Sequence, residues 1–170
     1  MPTCSFSLMN GQAFLFYNYM KIDISQKVAE IEVSYRPAIS NKPIITSSLD
    51  AYAVIKEFIP AATIALQEHF VVMYLNRSNR VIGVYNLSVG GITGTVADTR
   101  LVLGIALKVA ATGIILAHNH PSGNLKPSIA DEALTEKIKT AASFMDILVS
   151  DHLILSANGE YYSFADEGLL

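Results

Sequence analysis

Residues 114–131 read IILAHNHPSGNLKPSIAD. Ile114 to Ala117 are consecutive apolar residues, the pattern of a short strand buried on both faces. That strand runs directly into His118-Asn119-His120. Pro121, Gly123 and Pro127 predict a loop. Ser128 then opens a helix, with Asp131 and Glu132 in its first turn, where the helix dipole favours negative charge. A buried strand, a short loop and a helix make a unit of α/β architecture.

Working outward, the helix is expected to run to about Phe144. A strand over Ile147 to Leu155, an Asn158-Gly159 turn and a closing strand over Tyr161 to Phe164 follow. On the other side, Asp98 caps a helical segment ending near Thr112-Gly113. His69 to Leu75 and Arg80 to Leu87 are rich in β-branched and aromatic residues, and Asn76-Arg77-Ser78-Asn79 joins them as a hairpin. Ser47 or Ser48 caps a helix that places Tyr52, Val54, Ile55, Phe58 and Ile59 at helical spacing, with Pro60 as its stop. Strands interleaved with three helices predict a layered α/β sandwich with a mixed sheet over residues 45–170. Residues 21–44 read as an N-terminal strand, around Val28, Ile31, Val33 and Tyr35, followed by a Pro-containing loop. Residues 1–20 show no clear period and hold no Asp, Glu, Lys or Arg. They are expected to be a leader, either disordered or, if translation starts at Met20, not translated.

Composition bounds the function. Of the 170 residues, 51% are apolar and 16% are charged, which excludes a disordered or low-complexity chain. A net charge of −3 advertises no basic face to nucleic acid, so DNA binding has no support from charge. The single cysteine, Cys4, excludes an intramolecular disulfide framework and a multi-cysteine zinc site, and makes a reducing cytoplasm the expected compartment. Mean hydropathy is +0.37, but the most apolar window, Leu101 to Ala117, contains Lys108, Gly104 and Gly113. It reads as a buried helix and strand, so no membrane partner is expected. No basic segment precedes the apolar residues near the start, so export is not expected. Nothing in the composition fixes the oligomeric state.

The chemistry concentrates where the strand meets the helix. His118 and His120 leave one strand end, and Asp131, one turn into the helix, can swing its carboxylate back over the loop. Two imidazoles and a carboxylate are a common ligand set for a catalytic Zn2+, with the fourth position left to water. Ser128 has two jobs open to it: helix N-cap, or hydroxyl donor to a tetrahedral oxyanion. Such a site also needs a general base, and Glu68 is the candidate, standing just before the strand that starts at His69. Taken alone, Glu68 reads more readily as an exposed strand-end carboxylate. Asp151-His152 resembles an acid–base pair, but adjacent strand residues point to opposite faces, so His152 reads as structural. The chain lacks HExxH, Cys-x-x-Cys, a Walker loop and G-x-G-x-x-G.

Glu68, then His118-x-His120-Pro121, six residues, Ser128, two residues and Asp131 together resemble the metal motif of the JAB/MPN metalloenzymes, the JAMM family. The stretches Gln67-Glu68-His69-Phe70, ILAHNHPSGNLKPS, and Asp151-His152 with Gly159-Glu160-Tyr161-Tyr162-Ser163 are similar to its RadC-like bacterial branch. The resemblance spans roughly residues 45–168 and implies a JAB/MPN-like sandwich, related in arrangement to cytidine deaminases. It implies that His118, His120 and Asp131 ligate Zn2+, that Glu68 takes a proton from the fourth-site water, and that Ser128 assists the oxyanion. It further implies hydrolysis of a peptide or isopeptide bond in an unidentified protein or peptide substrate. The branch carries a DNA-repair label, and its longer members have an N-terminal helix-hairpin-helix region, whose pattern is missing from the residues before the motif domain. The alternative expectation is a non-catalytic or DNA-associated accessory module with a structural zinc.

Overall fold

The computed structural model describes residues 42–91 and 94–170, together with the backbone of two strands nearer the start, Ser5–Met9 (β1) and Gln12–Phe16 (β2). The chain divides into two units, Met1–Val33 and Ser34–Leu170. In the first, β1 and β2 pair antiparallel, from Ser5 opposite Phe16 to Met9 opposite Gln12. Both strands fall within the segment expected as a leader. The strand expected around Val28 to Tyr35 lies outside the described residues.

The second unit is a five-stranded mixed sheet with three helices, the layered α/β fold that the sequence predicts. Its strands are His69–Leu75 (β3), Val81–Val89 (β4), Gly113–Asn119 (β5), Leu148–Leu155 (β6) and Tyr161–Ser163 (β7), in the order β4-β3-β5-β6-β7. Only β5 and β6 run parallel; every other neighbour is antiparallel. A parallel pair needs a crossover, and the helix Ile129–Ser143 (α3) supplies it. The other helices are Ser48–Ile55 (α1) and Thr99–Lys108 (α2).

Strand alternation sorts the core into two layers. Phe70, Val72 and Tyr74 of β3 and Ile114 and Leu116 of β5 face α2 and α3, where they meet Val102, Leu103, Ala106, Ile138 and Ala142. Val71, Met73 and Leu75 with Ile115 and Ala117 face the opposite side, against Ala51 and Ile55 of α1. All seven residues of β3 and of β5 are buried, as expected of central strands covered on both faces. The parity matters for function, because His118 continues the series Ile114, Leu116 and so lies beneath α3.

Helix starts follow the expected caps. Ser47, Asp98 and Ser128 each accept a backbone N–H at a helix N-terminus. The end of α2 departs from expectation: it stops at Lys108 rather than near Thr112. Ala110 takes a left-handed conformation at φ 53°. Ala111 donates to the Ala106 carbonyl and Ala110 to that of Leu107, a Schellman closure built without glycine. Thr112 then already donates to Leu75 of β3, drawing the chain into the sheet. Among the described residues, no helix is long and apolar enough to cross a membrane.

Candidate metal centre

The centre forms at the carboxyl end of β5, the side of an open α/β sheet where ligands commonly sit. His118 lies in register between Phe70 of β3 and Ile154 of β6 and is buried. The Phe70 ring stacks on its imidazole, with centroids 5.9 Å apart and planes within 8°. β5 ends one residue later, and the His120 backbone N–H is pinned to the Leu155 carbonyl at 3.0 Å. Gly123, at φ 78°, turns the loop back and donates to the His120 carbonyl.

Asp131 arrives from the first turn of α3 through a capping box. Its Oδ2 accepts from the Ser128 backbone N–H and from the Ser128 hydroxyl, each at 2.7 Å, while its own N–H donates to Ser128 Oγ at 3.2 Å. This box leaves Oδ1 directed at His118 Nε2, 3.3 Å away. His120 Nε2 is 3.6 Å from Oδ2 and 3.0 Å from His118 Nε2.

Three donor atoms converging in this way fit a small divalent cation. Ligand bonds of about 2.0–2.1 Å at tetrahedral angles place neighbouring donors about 3.3 Å apart; the two imidazole nitrogens are 3.0 Å apart, and the Asp131 carboxylate meets His118 through Oδ1 at 3.3 Å and His120 through Oδ2 at 3.6 Å. Among the described residues, these three alone form such a group of His, Cys, Asp or Glu. His120 is also in the right tautomer. Its Nδ1 lies 2.5 Å from the Asn124 carbonyl, which can only accept, so Nδ1 carries the proton and Nε2 of the neutral ring offers a lone pair.

The electrostatics favour positive charge. Burial works to raise the Asp131 carboxyl, but the facing His118 and His120 imidazoles and the Ser128 hydroxyl outweigh it and hold the group far below the usual carboxylate range. The same carboxylate, against the opposing effect of burial, lifts His120 above the ordinary histidine value. Without a metal, the cluster draws a proton to the place a cation would take.

Glu68 approaches from the neighbouring strand end. Its backbone is tied to the end of β4 by Glu68 N–H to the Gly91 carbonyl and by Gly90 N–H to the Glu68 carbonyl. Half-buried, its carboxyl is raised by burial, an effect that the charges of His118 and His120 partly oppose. Glu68 thus interacts with the cluster without belonging to its three converging ligands.

The structure brings His118, His120, Ser128 and Asp131 into direct contact and leaves Glu68 within electrostatic reach of them. Sequence reasoning passed over Asn119. Its Oδ1 accepts from the His69 N–H at 2.8 Å, and its Nδ2 donates to the carbonyls of Ile64 and Gln67 at 2.7 and 2.8 Å. The available signal was an amide side chain on a fully buried strand, where every polar atom needs a partner. His152 and Asp151 do point to opposite faces, as expected. Asp151 accepts from Ser163 and from the Ala165 N–H, whereas the His152 ring touches His118, with Nε2 2.8 Å from His118 Nδ1.

Comparison with known proteins agrees with this geometry. The family model for the RadC-like JAB domain matches residues 45–169. A UPF0758 protein of Flavobacterium johnsoniae is 50% identical over 125 residues, covering 74% of this chain and 53% of the relative. One from Porphyromonas gingivalis is 41% identical over 149 residues, covering 88% and 62%. A third, from Streptococcus pyogenes serotype M49, is 36% identical over 150 residues, covering 88% and 66%. The chain thus spans between about half and two thirds of the length of these relatives. With the matched domain centred on the cluster just described, the chain belongs to the RadC-like JAB domain family.

Proposed function

We propose that this domain is a zinc-dependent hydrolase that cleaves a peptide or isopeptide bond. The observation that carries the reading is the convergence of His118 Nε2, His120 Nε2 and an Asp131 carboxylate oxygen, with a half-buried glutamate beside them. His118, His120 and Asp131 would hold the metal. Zinc bound there supplies a water acidified toward neutrality and a Lewis acid for the substrate carbonyl.

The remaining work falls to the chain. Glu68 accepts the proton of the attacking water and returns it to the departing amine nitrogen, so that one water is consumed and an acid and an amine are released. Ser128 keeps Asp131 oriented through its hydroxyl. The oxyanion role implied by the family requires that hydroxyl to turn from Asp131 toward the substrate.

Elemental analysis of chelator-free protein, wild type beside the His118→Ala/His120→Ala double variant, tests the metal. The expected result is about one zinc per chain, lost in the variant. Peptide and isopeptide substrates then test the reaction, with loss of turnover in Glu68→Gln expected while zinc is retained. Full turnover by Glu68→Gln would leave zinc a structural role instead.

A further inference from the structure

The His118 tautomer is decided by residues that the metal motif does not contain. Thr135 lies one turn into α3 beyond Asp131, and its hydroxyl donates to the Asp131 main-chain carbonyl at 2.6 Å. The same Oγ1 is 2.6 Å from His152 Nδ1. A hydroxyl has one proton, and a carbonyl can only accept, so toward His152 the Thr135 oxygen must act as acceptor. Nδ1 of His152 therefore carries a hydrogen. The ring is fully buried, where a charged imidazole is disfavoured, and the neutral form keeps a lone pair on its Nε2. That lone pair faces His118 Nδ1 at 2.8 Å, so His118 is protonated on Nδ1 and presents a bare Nε2 to Asp131 and His120.

We infer that Thr135 and His152 are positioning residues that lock His118 into its metal-ligating tautomer, through a one-way hydrogen-bond chain running from His118 to the backbone of a second ligand, Asp131. The inference rests on the metal reading above. A ligating histidine usually gives its second N–H to a group that can only accept, such as a carboxylate or a carbonyl. His120 does so with the Asn124 carbonyl. His118 instead gives it to another imidazole, which can donate or accept equally well. Thr135 removes that ambiguity, and only because its own proton is held by the Asp131 carbonyl. Phe164 stacks on His152 at 4.7 Å and 22°, and Phe70 meets it edge-on at 5.7 Å, so the ring has no room to flip. The chain returns to Asp131, so the strand ligand and the helix ligand are set by one network.

The test compares Thr135→Val, which keeps the shape but loses the acceptor, with Thr135→Ser, which keeps it. In metal-free, nitrogen-15-labelled wild type, two-bond nitrogen–proton correlations are expected to show Nδ1–H at both His118 and His152. Thr135→Val is expected to shift His152 to Nε2–H and to weaken zinc binding about 10- to 100-fold in chelator competition. Thr135→Ser is expected to match wild type in both. Thermal midpoints of the metal-free proteins separate lost affinity from lost folding. Zinc affinity in folded Thr135→Val within twofold of wild type overturns the assignment, as does Nε2–H at His118 in the wild type. If Thr135→Val does not fold, the wild-type tautomer pattern decides alone. A wild type that takes up no zinc overturns the metal reading together with this assignment, an outcome distinct from zinc uptake that ignores Thr135.

Discussion

Asn119, between His118 and His120, donates from its side-chain amide to the Gln67 carbonyl at 2.8 Å, so the strand that carries both histidines also holds the residue next to Glu68. The same amide group donates to Ile64, and its oxygen takes the His69 N–H, leaving each polar atom of this buried side chain partnered. The proposed base and ligands are thereby tied to one another by one side chain 52 residues away in sequence from Gln67.

Removing that side chain should loosen the base more than the metal. Asn119→Ala deprives three backbone groups of their partners, at a cost of about 1 kcal/mol each or somewhat more. A loss of roughly 3 kcal/mol is expected in urea denaturation, with zinc content unchanged and turnover reduced. Asn119→Asp should be worse than Ala, because it turns a donor into a carboxylate oxygen facing two carbonyls. An aspartate variant as stable as wild type would contradict this account.

Glu68 is expected to weaken the fold it serves. Burial raises its carboxyl above 4.5, so above that pH the unfolded chain releases a proton that the folded chain retains. Stability from this group is present below about pH 4.5 and is lost as pH rises toward the folded value. Metal-free Glu68→Gln should therefore match wild type in acid and become the more stable protein as pH rises to neutrality. Thermal midpoints measured from pH 4 to 8 check the sign; a constant gap between the two proteins would contradict it.

Much of this was legible locally. The apolar run ending in His118, the Ser128 cap and the Asp98 cap each act within a few residues, and the helices and strands formed where those signals stand. The β1–β2 pair was harder to read: Ser5-Phe6-Ser7-Leu8 alternates polar and apolar, but Ala13 to Phe16 is an unbroken apolar run, so no strand period emerged across the two. The His118–His152–Thr135 chain could not be read at all. Its members stand 34 and 17 residues apart, and only the parallel register of β5 and β6 beneath α3 brings them together.

The end of α2 offers a stability gain. Ala110 holds a left-handed conformation at φ 53° in a closure that usually contains glycine. That conformation costs an L-residue about 1–2 kcal/mol, while glycine adds about 0.5–1 kcal/mol of unfolded-state freedom. Ala110→Gly should stabilise the domain by roughly 0.5–1 kcal/mol in chemical denaturation, without altering zinc content. A destabilised variant would show that the alanine methyl packs more favourably than its backbone conformation costs.

Ser128 joins helix capping to the metal centre, so its loss should be felt twice. Ser128→Ala removes an N-cap, worth about 1 kcal/mol, and also withdraws the hydroxyl proton from Asp131 Oδ2. Both lower stability and zinc affinity are expected. Ser128→Gly keeps the cap backbone at little cost, so it should recover most of the stability and none of the affinity. Equal affinity in wild type, Ala and Gly would confine Ser128 to capping.

Zinc should stabilise the domain in a way that grows with pH. His120 is lifted above its ordinary 6.5 chiefly by Asp131, so in the metal-free protein its contribution is full below about pH 6.5 and is lost as pH rises through the folded value. Zinc needs that proton removed, because a charged imidazole has no lone pair to give. At a free zinc concentration 100 times its Kd, the gain is about 2.7 kcal/mol at pH values where His120 is neutral. Below the His120 pKa, apparent affinity should fall about tenfold per pH unit, and the rise in Tm on adding zinc should shrink with it. His120→Ala removes the ligand and the competing proton together, so its Tm should rise little with zinc at any pH. A wild-type shift that stays constant from pH 5 to 8 would place zinc somewhere other than this cluster.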